Sequence, residues 1–103
     1  MRYKVIYSNS TKRQLRKLDP HIAKIIVRWI NDHINESINP YFHGKALSAN
    51  LNGLWRYRIM DYRVICMIKD DTVTVEVLFI KHRKDVYKSS SLSKIVSLHD
   101  VTL

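Results

Sequence analysis

Cysteine is almost absent from this sequence: Cys66 is the only one among 103 residues. A lone thiol excludes a disulfide framework and implies no oxidising compartment. Apolar runs are short, none reaching the roughly 18 residues that suggest a membrane span. The opening "MRYKVIYSN" alternates with charges and lacks a secretory signal pattern. A cytoplasmic protein with no membrane partner is therefore expected. Metal-ligand spacings are missing too: His21, His33, His43, His82 and His99 are scattered, and nothing matches HExxH. No metal or cofactor is expected. Acidic residues are scarce, 9 against 18 Lys and Arg, which leaves a net charge of +9 and a pI near 9.9. Such a balance on a small domain suits a polyanion or an acidic protein partner. The competing reading is that excess lysine only keeps the chain soluble.

What is present is enough for one domain with a modest core, since 46% of residues are hydrophobic. "RYKVIYS" alternates Tyr3, Val5 and Tyr7 on one side and reads as a strand. "SNST" supplies cap-type residues for a short helix, "TKRQLRKL", with Leu15 and Leu18 inward and Lys12, Arg13, Arg16 and Lys17 in water. Asp19-Pro20 starts a second helix. Ile22, Ile25, Ile26, Trp29, Ile30 and Ile34 keep helical spacing over about 20–36. A polar connection over 35–53 leads to three strands, about 54–59, 62–69 and 72–81, the last after a turn at Asp70-Asp71. The order β-α-α-β-β-β predicts an α+β domain with two helices on one face of a sheet and the other face open. Residues 89–103 form a tail whose Leu92, Ile95 and Val96 have partial helical spacing beside a serine run.

The hairpin "LWRYRIMDYRV" carries the functional question. A two-residue turn at Met60-Asp61 pairs Ile59 with Tyr62, Arg58 with Arg63, Tyr57 with Val64 and Arg56 with Ile65. Paired residues share a face. Trp55, Tyr57, Ile59, Tyr62, Val64, Cys66 and Ile68 then meet the helices, and Arg56, Arg58 and Arg63 gather on the opposite side. Two unit charges at about 5–6 Å repel by up to about 3 kcal/mol at an effective dielectric of about 20. Three co-facial arginines are better read as an anion site than as a fold device. A solvated face with Glu76 pairing one of them is the competing reading. A second basic cluster, "KHRKDVY", ends the last strand. Strict alternation places His82 on the arginine face and Lys81 and Arg83 on the other, so a bulge is needed to bring either across.

The order and spacing of "LWRYRI", a short turn, "DYRVI", an apolar strand and "HRKDVY", behind two helices, resembles the RelE/ParE superfamily of type II toxins. More narrowly, residues 1–88 are similar to RelE-type mRNA interferases. The resemblance implies a small twisted antiparallel sheet with two N-terminal helices on one face. It also implies ribosome-dependent endonucleolytic cleavage of mRNA in the decoding site, and neutralisation by a cognate acidic antitoxin. Arg56 and Arg58 match the family's basic positions on the first central strand, Arg63 the arginine of the second, and Tyr87 the C-terminal tyrosine. Lys81 falls at the position of a further arginine and Arg83 at a nearby basic position. Arginines replace lysines often found on the first strand, and Lys81 replaces that further arginine.

The implied chemistry is attack of a ribose 2′-hydroxyl on the adjacent phosphate, which needs a proton acceptor, a proton donor and charge stabilisation. Arginines stay protonated and serve as clamps. Tyr87 is the candidate base or stacking residue, and Lys81 or His82 the donor. Without paired histidines or a carboxylate dyad, the chain suits dependence on the ribosome, with its RNA, to position mRNA. Lys12, Arg13, Arg16 and Lys17, with His82 and Lys84, complete the residues expected to contact RNA or antitoxin. For the helix set a solvated face is the competing reading. Two other functions share these features: a ParE-like toxin that inhibits DNA gyrase by binding, and a non-catalytic nucleic-acid-binding module.

Overall fold

The computed structural model describes residues 1–47 and 53–84, so Tyr87 and the tail carrying Leu92, Ile95 and Val96 lie outside the described residues. The chain runs β1 (Lys4–Tyr7), α1 (Asn9–Lys17), α2 (Pro20–His33), a short 3-10 turn (Pro40–Phe42), β2 (Lys45–Ala46), β3 (Leu54–Ile59), β4 (Tyr62–Lys69) and β5 (Thr74–His82). The strands form one sheet in the order β1-β5-β4-β3-β2. The expected helices-on-one-face architecture is present, and the sheet is mixed: β1 pairs parallel with β5, while the other pairs are antiparallel. The two parallel neighbours are separated in the chain by both helices and by β2, β3 and β4.

Both helices start where their caps dictate. Ser8 accepts from the Thr11 amide, and Asp19 accepts from the His21 amide with Pro20 at the first helical position. The second helix ends at His33, three residues before the sequence spacing suggests, because the chain is diverted to β1. Glu36 takes a left-handed φ of 67°. The Glu36 amide donates to Tyr3 O and the Tyr3 amide to Ser37 O, and the Val5 amide donates to Asn35 Oδ1. Residues 35–37 thus cover the outer edge of β1, which would otherwise expose unpaired backbone.

The main core lies between α2 and the sheet. Ile26, Ile30 and Ile34 are buried against Tyr57, Ile59, Val64, Cys66, Ile68, Val75, Val77 and Ile80. Fully burying one such side chain is worth about 1.5–3 kcal/mol, whereas an exposed pair such as Lys4–Glu36 contributes about 0–1. The stripe of isoleucines therefore dominates. The opposite face is less open than the strand order alone suggests. Leu54, Ile65, Leu78 and Phe79 form a second buried cluster there, with Leu47 and Met67 against it.

One irregularity decides where the basic residues point. The turn between β4 and β5 spans 70–73 rather than two residues, so Lys69 faces Thr74, and this shift of two preserves the alternation. Farther along, Cys66 faces Val77 but Ile65 faces Phe79, leaving Leu78 as the extra residue of a β-bulge. The bulge is held from the helix side, where β1 has already ended. Thr11 Oγ1 donates to Val77 O at 3.0 Å and Ser8 Oγ to Leu78 O at 2.8 Å. Gln14 closes the series: its Nε2 donates to Ile80 O at 2.9 Å while its Oε1 accepts from the Ile80 amide at 2.7 Å. Residues 8, 11 and 14 share one side of the helix, and their side chains continue the sheet where the first strand stops.

Candidate active site

Pairing across the hairpin is as the alternation predicts. Arg58 faces Arg63 and Arg56 faces Ile65. Beyond the bulge Arg63 faces Lys81, so Arg58, Arg63 and Lys81 form a cationic row across β3, β4 and β5 on the face away from the helices. Lys45 of β2 faces Arg56 and adds a fourth strand to the basic surface. Cross-strand partners hold their β-carbons about 5 Å apart. Like charges at that spacing cost folding energy, and a bound anion reverses the sign of that cost.

His82 is not part of this row. Strict alternation puts it on the arginine face, but the Leu78 bulge turns it to the helix side, opposite Tyr62. Its ring lies edge-on to Tyr62 with centroids 5.1 Å apart, and it borders a groove with Gln14, Lys17, Leu18 and Ile80. Arg83 lies past the strand end, its amide donating to Asp61 O at 2.7 Å and its guanidinium 3.7 Å from the Asp61 carboxylate. Lys84 is exposed, its amide donating to His82 Nδ1. Lys12, Arg13, Arg16 and Lys17 are exposed on α1, which packs Leu15 and Leu18 into the main core and so stands on the side away from the cationic row. Glu76, which the competing reading assigns to an arginine, pairs with Lys69 at 3.1 Å.

Beside the row is a cleft of about 310 Å³ lined by Arg56, Arg58, Arg63 and Lys45, and on its other side by Trp29, His43 and Gly44. Those last three line the cleft and were missed by sequence reasoning. The signal available was the aromatic, basic stretch "PYFHGK" inside a connection otherwise read as polar. This segment is fastened to β3. Tyr57 Oη donates to Pro40 O and Trp55 Nε1 to His43 O, both at 2.7 Å. Gly44, at a φ of 79°, brings the backbone so close that a β-carbon there would stand 2.1 Å from Arg56 O. Only glycine fits both the left-handed angle and the contact. Tyr41 is anchored too: its hydroxyl donates to Asp70, and burial, with that carboxylate, pushes its pKa up to about 12. Among the described residues no cluster of three or more His, Cys, Asp or Glu could hold a metal ion, and no helix is long and apolar enough to cross a membrane.

A family model described as the ParE toxin of the parDE type II toxin–antitoxin system matches residues 5–87. The chain belongs to this family. Within the RelE/ParE superfamily the toxin is similar to toxin RelG of Mycobacterium tuberculosis, at 32% identity over 85% of this chain and 99% of RelG. It is likewise similar to toxin RelE of the same organism, at 33% identity over 84% of this chain and 87% of that protein. The RelBE2 toxin–antitoxin complex of M. tuberculosis superposes with a TM-score of 0.68 at 32% identity, covering 82% of this chain and 95% of that one. A free mutant of the E. coli toxin RelE reaches the same TM-score at 14% identity over 96% and 98% of the two chains, a likeness of fold. The toxin thus carries its basic cleft on a RelE-like scaffold of two helices and a five-stranded sheet.

Proposed function

We propose that the toxin is a ribosome-dependent endoribonuclease that cuts mRNA in the decoding site and so inhibits translation in the cytoplasm. The observation that carries this reading is the alignment of Arg58, Arg63 and Lys81 across three strands, with Arg56 in the adjoining cleft. Such a row suits a phosphate that gains negative charge as it reacts. The 2′-oxygen loses its proton to a base and bonds to phosphorus. The P–O5′ bond breaks, leaving a 2′,3′-cyclic phosphate, and the departing 5′-oxygen takes up a proton. Arg56, Arg58 and Arg63 are the electrostatic clamps, Lys81 the proton donor and Tyr87 the base, with Arg83 a further cation past the strand end. This set contains neither paired histidines nor a carboxylate dyad, which fits reliance on the ribosome and its RNA to align the substrate.

The regulatory partner proposed is a cognate acidic antitoxin. The M. tuberculosis relative and an archaeal RelE from Pyrococcus horikoshii are both known in complex with antitoxins. The exposed cations of α1 and the Tyr62–His82 groove offer such a segment a surface away from the cleft.

Adding the purified toxin to translating ribosomes and mapping mRNA ends tests the proposal. New ends within A-site codons are expected, and Arg58→Ala should lower their rate of formation about 100- to 1,000-fold, as loss of one transition-state donor does. Tyr87→Phe should relieve growth arrest with the fold retained. Absence of new ends together with gyrase-trapped DNA breaks would transfer the toxin to the gyrase-binding reading that its family name carries.

A further inference from the structure

We infer that His43 and Phe42, backed by Trp29, form a stacking wall for an unpaired RNA base, next to the phosphate site that the arginines provide. This deepens the nuclease reading and rests on it for the identity of the polymer. Phe42 is 78% exposed, an unusual position for a large aromatic ring. It contributes nothing to either buried cluster, yet its ring centroid is 5.0 Å from that of His43, edge to face. His43 is the centre of the group. It meets Trp29 at 5.6 Å and His33 at 5.2 Å, both nearly perpendicular, and it lines the cleft opposite the arginines.

The rings are braced from behind. His33 stacks on Trp29 at 4.5 Å, one helical turn on, and its Nδ1 lies 2.9 Å from Trp29 O. Trp29 also leans on the buried ring of Tyr57 at 5.8 Å. The Tyr57–Pro40 and Trp55–His43 hydrogen bonds and the close approach of Gly44 fix the loop that carries the two outer rings. A surface held this firmly loses little freedom on binding. A cationic floor beside an aromatic wall is the combination that holds single-stranded nucleic acid, the charges following the backbone and the rings taking a base. A double helix has no exposed base face to offer such a wall, so the ligand class is unpaired RNA.

The test is binding of a fluorescent nine-nucleotide single-stranded RNA to the full chain, read by anisotropy, compared with the same oligonucleotide carrying one abasic position. Phe42→Ala and His43→Ala should each weaken binding of the intact RNA about tenfold. His43→Phe should keep it, because a ring remains. The abasic RNA in the matching position should bind the parent protein as weakly as the intact RNA binds the alanine variants, and should be indifferent to the substitutions. Phe42→Ala removes an exposed ring, so it keeps the comparison sound even where His43→Ala unfolds, which circular dichroism reports. Equal affinities for intact and abasic RNA, or alanine variants that bind the intact RNA normally, would overturn the inference. Ribosomal cleavage separates the two claims: cleavage without base-dependent binding removes the wall alone, and base-dependent binding without cleavage removes the nuclease reading alone.

Discussion

Val73 enters β5 at a φ of 52°, and Met60 opens the hairpin turn at 54°. A branched side chain is poorly suited to that left-handed region, where Cβ crowds the following carbonyl. Asparagine tolerates the angle, and the Val73 side chain belongs to neither buried cluster. Val73→Asn should therefore stabilise the protein by about 1 kcal/mol, measured by denaturant unfolding. A decrease would mean that the valine side chain contributes more to packing than its angle costs. The cationic residues illustrate a different residue-level conflict. Arg58 and Arg63 oppose each other at a pairing position where a threonine or carboxylate would fold better, a local penalty that the fold alone does not account for.

Among the elements, α1 is the one whose polar side chains hold the bulged part of β5. Gln14 supplies both a donor and an acceptor to Ile80, the position a neighbouring strand would occupy. Removing it strands two half-buried backbone groups. Gln14→Ala should cost about 1–3 kcal/mol and speed amide exchange at Ile80. Unchanged exchange there would show that the bulge holds itself. This element also marks the boundary of what was legible in advance. Helix α2 and the β3–β4 hairpin could be read because isoleucines recur at helical spacing and arginines alternate with apolar residues. The Leu78 bulge could not. "VLFI", residues 77–80, is apolar on both faces, so alternation carries no register there, and the fates of Lys81 and His82 were exchanged. The wall of the cleft was hidden for a related reason: Trp29, His43 and Arg56 are far apart in the chain and meet only through contacts that no local pattern encodes.

At the scale of the whole molecule, the two faces of the sheet divide their tasks. One is dry and carries tyrosines and a thiol that hold their protons tightly. Burial pushes the Tyr7 pKa up to about 12, burial and Asp70 take Tyr41 to about 12, and burial also raises Tyr57 and Cys66. Because the folded chain retains protons that the unfolded chain releases above the usual tyrosine value near 10, stability is undiminished by these tyrosines below pH 10 and falls as pH rises toward 12. On alkaline titration the tyrosinate signal of Tyr7, Tyr41 and Tyr57 should appear cooperatively, coinciding with loss of circular dichroism. Tyrosines all ionising near pH 10 in an intact fold would contradict this. The other face joins a smaller buried cluster to a row of cations, and that row exists only once β3, β4 and β5 are side by side.

The parallel pairing of β1 with β5 has a consequence for timing. Lys4 waits for Thr74, so β1 cannot find its neighbour until β5 has been made. A nascent chain emerging N-terminus first cannot pair β1 until β5 has cleared the exit tunnel, and loop closure over so long a span makes that step slow. The row of cations on β3, β4 and β5 is likewise complete only after the chain has been made through Lys81.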